Sequence, residues 1–287
     1  MSNRPKRRRR GKAPLRAAAA PKSRLARCVG RNCCKKETGM RILVSGLGGA
    51  MGREVAKLAL SGYRGAELAG GVSPRGCDAF GVPCAADYAR AVTDADCVVD
   101  FSHHSATMEL LRFVKENHLP LVLATTGQTE EEKAAVLATA TEIPLFFSAN
   151  CSLGVALLIE LAKKTAAAMP DAEIEIMEKH HDRKVDAPSG TALAIAEAIR
   201  EVRPEAALRM GRSGHGRRAP NEIGIHAVRM GNIVGEHEVM IGTASQTVTL
   251  KHEAHSRALF AEGALAAAQF LQGKSAGLYG MESMIAL

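Results

Sequence analysis

The chain has 287 residues, 46% of them hydrophobic and 24% charged, with 27 glycines. That is enough for a sizeable core in two domains or one large α/β unit, and no stretch approaches the roughly 20 apolar residues of a membrane span. Aromatic residues make up 3% and Trp is absent, so stacking on an aromatic platform is excluded as a main way of holding nucleic acid.

The net charge of +8 is unevenly spread. Residues 1–39 hold fourteen Lys and Arg against the single acid Glu37, net +13, whereas residues 40–287 carry 24 basic and 29 acidic side chains, net −5. Residues 7–10 are all Arg and residues 17–20 all Ala, with no apolar period worth burying. Residues 1–39 therefore read as a disordered basic extension, either a solvated tail or residues upstream of a start at Met40. No apolar segment follows the arginines, which argues against a secretory signal; transit composition and contact with a membrane surface or nucleic acid are the tail's other readings. The cysteines of the body, Cys77, Cys84, Cys97 and Cys151, stand singly without CxxC spacing and read as reduced thiols of a cytoplasmic protein.

From Met40 onward short apolar runs alternate with helical periods. Residues 42–44 form a buried strand that ends in Ser45-Gly46-Leu47-Gly48-Gly49-Ala50-Met51-Gly52-Arg53, after which Val55, Leu58, Ala59 and Leu60 recur at helical spacing. Further strands are predicted at 68–72, 97–101, 121–124 and 143–147, with helices such as 107–117 and 130–139 between them. This order predicts an α/β protein with a Rossmann-like, doubly wound parallel sheet. After Asn150 the pattern changes. A long helix at 153–169 precedes Glu173-Ile174-Glu175-Ile176-Met177-Glu178, whose strict alternation marks a strand with one wet face. A loop over 179–189 leads to a helix at 191–202 and strands at 223–229, 233–243 and 247–254. The turns Met230-Gly231-Asn232 and Ala244-Ser245-Gln246 predict that these three strands are antiparallel neighbours. The helix at 259–271 is apolar on most faces and is expected to pack back against the first domain.

Gly46, Gly49 and Gly52 give G-x-x-G-x-x-G, with Gly48 adding a G-x-G start, between a buried strand and a helix. Residues without Cβ let the backbone approach a pyrophosphate, and the helix N-terminus offers it N–H groups and partial positive charge. The second strand ends near Val72, where an NAD site places an acid on the adenine ribose. Ser73-Pro74-Arg75 stands there instead, so Arg75, helped by Arg53 in the helix's first turn, is expected to pair a 2′-phosphate and favour NADPH over NADH.

The segment Glu178-Lys179-His180-His181-Asp182-Arg183-Lys184-Val185-Asp186-Ala187-Pro188-Ser189-Gly190-Thr191-Ala192 puts two imidazoles, an ammonium and a helix start into 15 residues. Ser189 is a plausible N-cap, and the amides of Gly190 and Thr191 are expected to face an anion, which suits a carboxylate substrate. Histidine exchanges protons near neutral pH, so His180 or His181 with Lys184 can bind a dianion and supply a proton. Adjacent histidines lack the i, i+4 spacing of a zinc helix, so no metal is expected. His103, His104, His252 and His255 read mostly as surface or satisfied polar residues.

The block E-x-H-H-x-x-K-x-D-x-P-S-G-T-A, with the turn G-x-x-G-x-M-G-R, resembles the 4-hydroxy-tetrahydrodipicolinate reductases of diaminopimelate and lysine biosynthesis, the dihydrodipicolinate reductase family. Asp100-Phe101-Ser102, Thr125-Thr126-Gly127, Ala149-Asn150 with Ser152, Ile233-Val234-Gly235-Glu236-His237 and Ser256-Arg257 extend the resemblance to the C-terminus. It implies a dinucleotide-binding domain of residues 40–150 plus 258–287, taking NADPH or NADH. It also implies a substrate-binding and oligomerisation domain of residues 151–257, α+β with a mixed sheet, through which a homotetramer assembles. Implied cofactor contacts are Gly46, Leu47, Gly48, Gly49, Ala50 and Met51, then Ala124, Thr125 and Thr126, and Ser148, Ala149, Asn150 and Cys151. His180 matches the family's proton donor or acceptor and Lys184 its proton donor, while His181, Gly190 and Thr191, beside Ser189, match substrate contacts. The sequence departs from the family at Ala124, where glycine is frequent, at Cys151, where a larger residue can stand, and at Ser73, where some members have an acid. Rival readings are another small-acid or amino-acid dehydrogenase, and a cofactor-sensing binding protein whose tail contacts nucleic acid.

Overall fold

The apolar runs become strands because each has two faces to bury. β1 (Met40–Ser45), β2 (Ala66–Val72), β3 (Cys84–Ala85), β4 (Cys97–Asp100), β5 (Leu121–Leu123) and β6 (Pro144–Phe147) form a sheet with the late strand Gly277–Tyr279 at its edge. This is the arrangement in a computed structural model that describes residues 39–77 and 80–285. The expectation of a disordered tail concerns residues 1–38, which lie outside that range, and Gly39. Every pairing in the sheet is parallel, and Ile42, Leu43, Val44, Val98, Val99 and Leu121 are fully or almost fully buried, as a sheet covered on both faces requires.

One face packs against α1 (Ala50–Leu60) and the C-terminal helix Ala258–Leu271, joining Ile42, Val44, Val99 and Phe146 to Val55, Ala59, Ala264 and Leu265. The late helix does fold back onto the first sheet. The other face packs Leu43, Val98, Leu121 and Leu145 against Leu110 and Val114 of α2 (Thr107–Glu116) and Val136 of α3 (Glu130–Ala140). In spatial order β2 and β3 flank β1 on one side, and β4, β5 and β6 follow on the other. The strand order thus reverses between β1 and β4, where doubly wound sheets open a ligand crevice at their carboxyl ends.

α4 (Leu153–Ala168) starts at Ser152, whose Oγ accepts the Val155 amide. It leads to the second sheet, built of β7 (Glu173–His180), β8 (Ala207–Met210), β9 (Glu222–Arg229), β10 (Gly235–Gly242) and β11 (Thr247–Ala254) in the order β11-β10-β7-β9-β8. Ile174, Ile176, Ile225, Val239 and Ile241 turn inward onto Leu158 and Ala162 of α4 and Ile195 and Ile199 of α5 (Gly190–Val202). β7 alternates between buried and wetter positions along its length, as its sequence predicts.

One strand pairing is corrected. β10 and β11 are antiparallel neighbours, but β9 and β10 are not, because β7 runs between them, parallel to β9 and antiparallel to β10. The segment Met230-Gly231-Asn232 spans the end of β7 instead of closing a hairpin. Its backbone groups go to that strand and its loop: Met230 N–H to the His180 carbonyl at 2.9 Å, and the Gly231 carbonyl from Asp182 N–H at 3.2 Å. Turn residues fix a change of direction, not which strand is met next. β3, β8 and the strand Gly277–Tyr279 have two to four residues, too few to show a period. Among the described residues no helix is long and apolar enough to cross a membrane.

Candidate active site

The glycine turn lies at the carboxyl end of β1, in the crevice. Gly46 has φ +81°, and a Cβ there would meet the Phe101 carbonyl oxygen at 2.6 Å; at Gly52 it would run into the Gly46 carbonyl oxygen. Only glycine fits either place. α1 begins after Gly49 with no side-chain cap and no acid in its first turn, so its N-terminal amides are left for an anion. This cradle fits a dinucleotide pyrophosphate.

Two adjoining cavities run along the crevice. The first, about 640 Å³, is lined by Gly46, Gly48, Gly49, Arg53, Ser73 and Arg75, with Tyr88 and His103 opposite. The second, about 540 Å³, is lined by Gly49, Ala50, Met51, Ala124, Thr125, Thr126, Ala149 and Cys151, with Phe260 from the C-terminal helix. They share Gly49, Phe101, Ser102 and His103, so together they form one elongated groove. Beneath it Asp100 is almost wholly buried, accepting from Ser45 Oγ and Thr125 Oγ1 at 2.5 Å each, while Tyr88 Oη lies 2.7 Å from Ser45 Oγ. Burial raises the Asp100 carboxyl against the hydroxyls that lower it.

Three of the expected cofactor residues lie off this groove. The Leu47 side chain is fully buried in the core, and Ser148 and Asn150 occupy the connection leading to α4. Ser148 Oγ donates to the Asn150 carbonyl, and Asn150 Nδ2 donates to Thr191 Oγ1 at 3.2 Å. That last bond joins the two sets of residues singled out in the sequence. Ser73 lines the first cavity but is only 5% exposed, with its Oγ directly under Gly48; Arg53 Nε donates to the Gly48 carbonyl at 3.1 Å, and Arg75 is exposed.

The second cluster gathers at the carboxyl end of β7. His180 is nearly buried, its Nδ1 2.6 Å from Glu178 Oε2, and its ring stands edge-on to His237 with centroids 5.2 Å apart. Glu178 also takes two bonds of 2.8 Å from Arg229 and one of 2.9 Å from the Ser189 amide. Burial raises its carboxyl, but the bonds from Arg229, His180 and Ser189 outweigh this and hold it below the usual carboxylate range. Ser189 is buried and caps α5, its Oγ accepting the Ala192 amide and lying 3.1 Å from His237 Nε2. Burial, and then the neighbouring His180, lower His237 to about 4. His181 is also lowered, by desolvation and by Arg183 and Arg257, and its Nδ1 is buried with no hydrogen-bond partner among the described residues.

Lys184 Nζ pairs with Asp186 Oδ1 at 2.7 Å. That Lys184 contact, together with the Gly190 amide, holds the Asp186 carboxyl below its ordinary value. The Gly190 amide, expected to face an incoming anion, therefore already faces one from its own loop. Two residues proposed for one task, Lys184 and Gly190, thus meet through a third, Asp186, that was not singled out.

Residues 40–151 match the family described as Dihydrodipicolinate reductase, N-terminus, and residues 154–285 match Dihydrodipicolinate reductase, C-terminus. The chain belongs to the dihydrodipicolinate reductase family. The 4-hydroxy-tetrahydrodipicolinate reductase of Caldanaerobacter subterraneus is 45% identical over 248 residues, 86% of this chain and 98% of that protein. The reductase of the same name from Clostridium tetani is 40% identical over 86% of this chain and 97% of that protein. A solved structure, the dipicolinate-bound dihydrodipicolinate reductase of a Paenisporosarcina species, superposes with a TM-score of 0.71 at 25% identity, covering 86% of this chain and all of that one.

In this family member, reasoning from sequence named Asp100 and His237 only as parts of matching segments and gave neither a role, and it did not single out Arg229. The alternation of β10 was a usable signal for His237, since it places residue 237 on the same inward face as Val239 and Ile241. Nothing in the sequence marks Arg229 among the other arginines. Among the described residues no group of three or more His, Cys, Asp or Glu is placed to hold a metal ion.

Proposed function

We propose that this reductase converts 4-hydroxy-tetrahydrodipicolinate to tetrahydrodipicolinate with loss of water, a step of diaminopimelate and lysine biosynthesis, and prefers NADPH to NADH. The observation that carries this reading is the His-His-Lys loop anchored by a buried carboxylate to the capped start of α5, in a chain of this family. A nicotinamide cofactor supplies the hydride when bound. Hydride and one proton taken up, against one water released, balance the reaction. The dehydrogenase and sensor readings explain neither the loop nor the family match.

Each part of the chain has a task in this reading. The turn from Gly46 to Met51 and the α1 amides hold the pyrophosphate. Arg53 and Arg75 flank the first cavity, where a 2′-phosphate finds two guanidinium groups. Ala124, Thr125, Thr126, Ala149 and Cys151 wall the second cavity and hold the nicotinamide end. Burial pushes the Cys151 thiol up to about 12, so it serves as a neutral, apolar wall. The amides at Gly190 and Thr191, with Ser189 and His181, receive a substrate carboxylate, Lys184 bonds to the substrate and donates a proton, and His180 exchanges one through Nε2. Residues 40–150 with 258–287 act as the cofactor domain and 151–257 as the substrate domain. The half-wet face of the second sheet, opposite α4 and α5, is where copies assemble into a homotetramer, and sedimentation of the purified protein checks that number.

The deciding measurement is oxidation of NADPH with substrate made fresh by the preceding synthase. Turnover that needs both substrate and enzyme is expected; its absence, with a known reductase active in the same mixture, sinks the reading. For the cofactor, Arg75→Ala should weaken NADPH by about 10-fold or more, the value of a charge-assisted hydrogen bond, and leave NADH unchanged. Equal weakening of both returns Arg75 to the role of a surface residue.

A further inference from the structure

Four donors converge on one buried carboxylate between the proton-exchanging histidine and the carboxylate cradle. Glu178 is wholly inaccessible; its Oε2 faces His180 Nδ1 and one Arg229 nitrogen, and its Oε1 faces the Ser189 amide and the other Arg229 nitrogen. We propose that Glu178, clamped by Arg229, is a positioning residue that fixes the Nδ1–H tautomer of His180 and locks it to the start of α5. The inference rests on the roles given above to His180 and to residues 189–191.

The argument is one of lone pairs. An ionised carboxylate offers about four acceptor sites and no hydrogen, and here about four donors use them. The proton on the 2.6 Å bond to His180 therefore belongs to Nδ1, which leaves Nε2 as the atom that exchanges a proton with substrate. Nε2 points toward Gly235, where even a Cβ would come within 3.1 Å, so residue 235 must be small to leave that atom room. A lone carboxylate beside His180 would leave a full negative charge behind the ring. Arg229 offsets that charge with a two-pronged pair, so the ring is oriented with little net charge behind it.

The same two residues also set the loop. Arg229 donates to the Asp186 carbonyl at 2.6 Å, and Met230, next to it, donates its amide to the His180 carbonyl. The other ionisable groups near His180 are His237, which burial keeps neutral above pH 4, His181, and the Lys184–Asp186 pair. His180 Nδ1 is hydrogen-bonded to Glu178 and to none of these groups, so Glu178 decides the tautomer.

Glu178→Gln reverses the instruction. A side-chain amide has one accepting oxygen, and with Arg229 and Ser189 donating to that oxygen its NH2 group faces His180, which must then accept at Nδ1 and carry its proton on Nε2. Because a lone Arg229 charge would be left buried, the double variant E178Q/R229M is made alongside. Two measurements decide. Long-range 1H–15N spectra of 15N-histidine-labelled protein without substrate, with the signal assigned by its loss in His180→Gln, should show Nδ1–H in the parent and Nε2–H in both variants. Steady-state rates across pH should show kcat lower by on the order of 10²-fold in both variants, with a displaced pH profile and an NADPH Kd within about twofold of the parent. A parental Nδ1–H signal in both variants, or parental kcat in the double variant, overturns the proposal. If the parent itself fails to turn over the substrate, the proposed function falls while the tautomer spectra still decide the role of Glu178.

Discussion

The groove along the first sheet and the loop at the end of the second are built by opposite means. The glycine turn is closed through backbone carbonyls, Gly49 amide to Gly46, the Gly46 and Leu47 amides to Val72 of the next strand, and Arg53 to Gly48, and it presents peptide N–H groups to its ligand. The loop is held by side chains from three strands: Glu178 to Arg229, 51 residues away, and Ser189 to His237, 48 away. The difference follows from the tasks. An anion needs only fixed dipoles, which the backbone supplies wherever Cβ atoms are absent. A proton needs groups whose ionisation is set by burial and by neighbours, and these come from wherever the fold brings side chains together.

The largest expected effect breaks the molecule along this division. Gly52→Ala places a Cβ against the Gly46 carbonyl, which is backbone and cannot swing aside, so NADPH binding should weaken by about 5- to 150-fold, the scale of 1–3 kcal/mol of overpacking. His180→Gln and Lys184→Met should instead lower kcat by on the order of 10²-fold or more and leave the NADPH Kd alone. Fluorescence titration and steady-state kinetics on the three variants test both halves. A large change in nucleotide affinity in His180→Gln would mean that the two regions are not separable.

This contrast also explains what could be read from the sequence. The glycine turn, the parallel sheet and the α5 cap are local patterns of period, spacing and capping residue, and these are visible in a chain of letters. The Glu178–Arg229 clamp and the place of β7 between β9 and β10 depend on which strands become neighbours, a long-range choice with no signature at either residue. Asp186 shows the boundary between the two: it stands inside the quoted motif, but only the folded loop turns its carboxylate onto Lys184 and the amide of Gly190.

The next effect separates the regions by pH. His237 titrates at about 4 in the fold against about 6.5 when unfolded, so the folded protein binds fewer protons between these values. Its contribution is complete above about pH 6.5 and is lost as pH falls toward 4, by on the order of 3 kcal/mol. Asp100 in the first region works in the opposite sense. Its raised carboxyl favours the fold at low pH and less as pH rises past the unfolded value of about 4. Urea midpoints measured from pH 4 to 6.5 should therefore rise less steeply with pH in His237→Gln than in the parent, and more steeply in Asp100→Asn. An unchanged slope in His237→Gln would place the acid sensitivity elsewhere.

The smallest expected effect has an unusual sign. Asp186 Oδ1 lies 2.7 Å from Lys184 Nζ and, with the Gly190 amide beside it, puts a carboxylate on the same two donors proposed to receive the substrate. Substrate must displace it, because one ammonium and one helix start cannot neutralise two carboxylates at once. Asp186→Asn keeps the shape of the side chain and removes the competing charge. An exposed ion pair contributes about 0.2–1 kcal/mol, so KM should fall by about 1.4- to 5-fold. The gain belongs to the loop alone, so the NADPH Kd should not move. Most substitutions in a binding loop weaken binding, and the opposite sign here follows only if the loop anion occupies the substrate's place. A higher KM in Asp186→Asn would show instead that Asp186 steers Lys184 toward the substrate, and the contact would then be part of the assembled site.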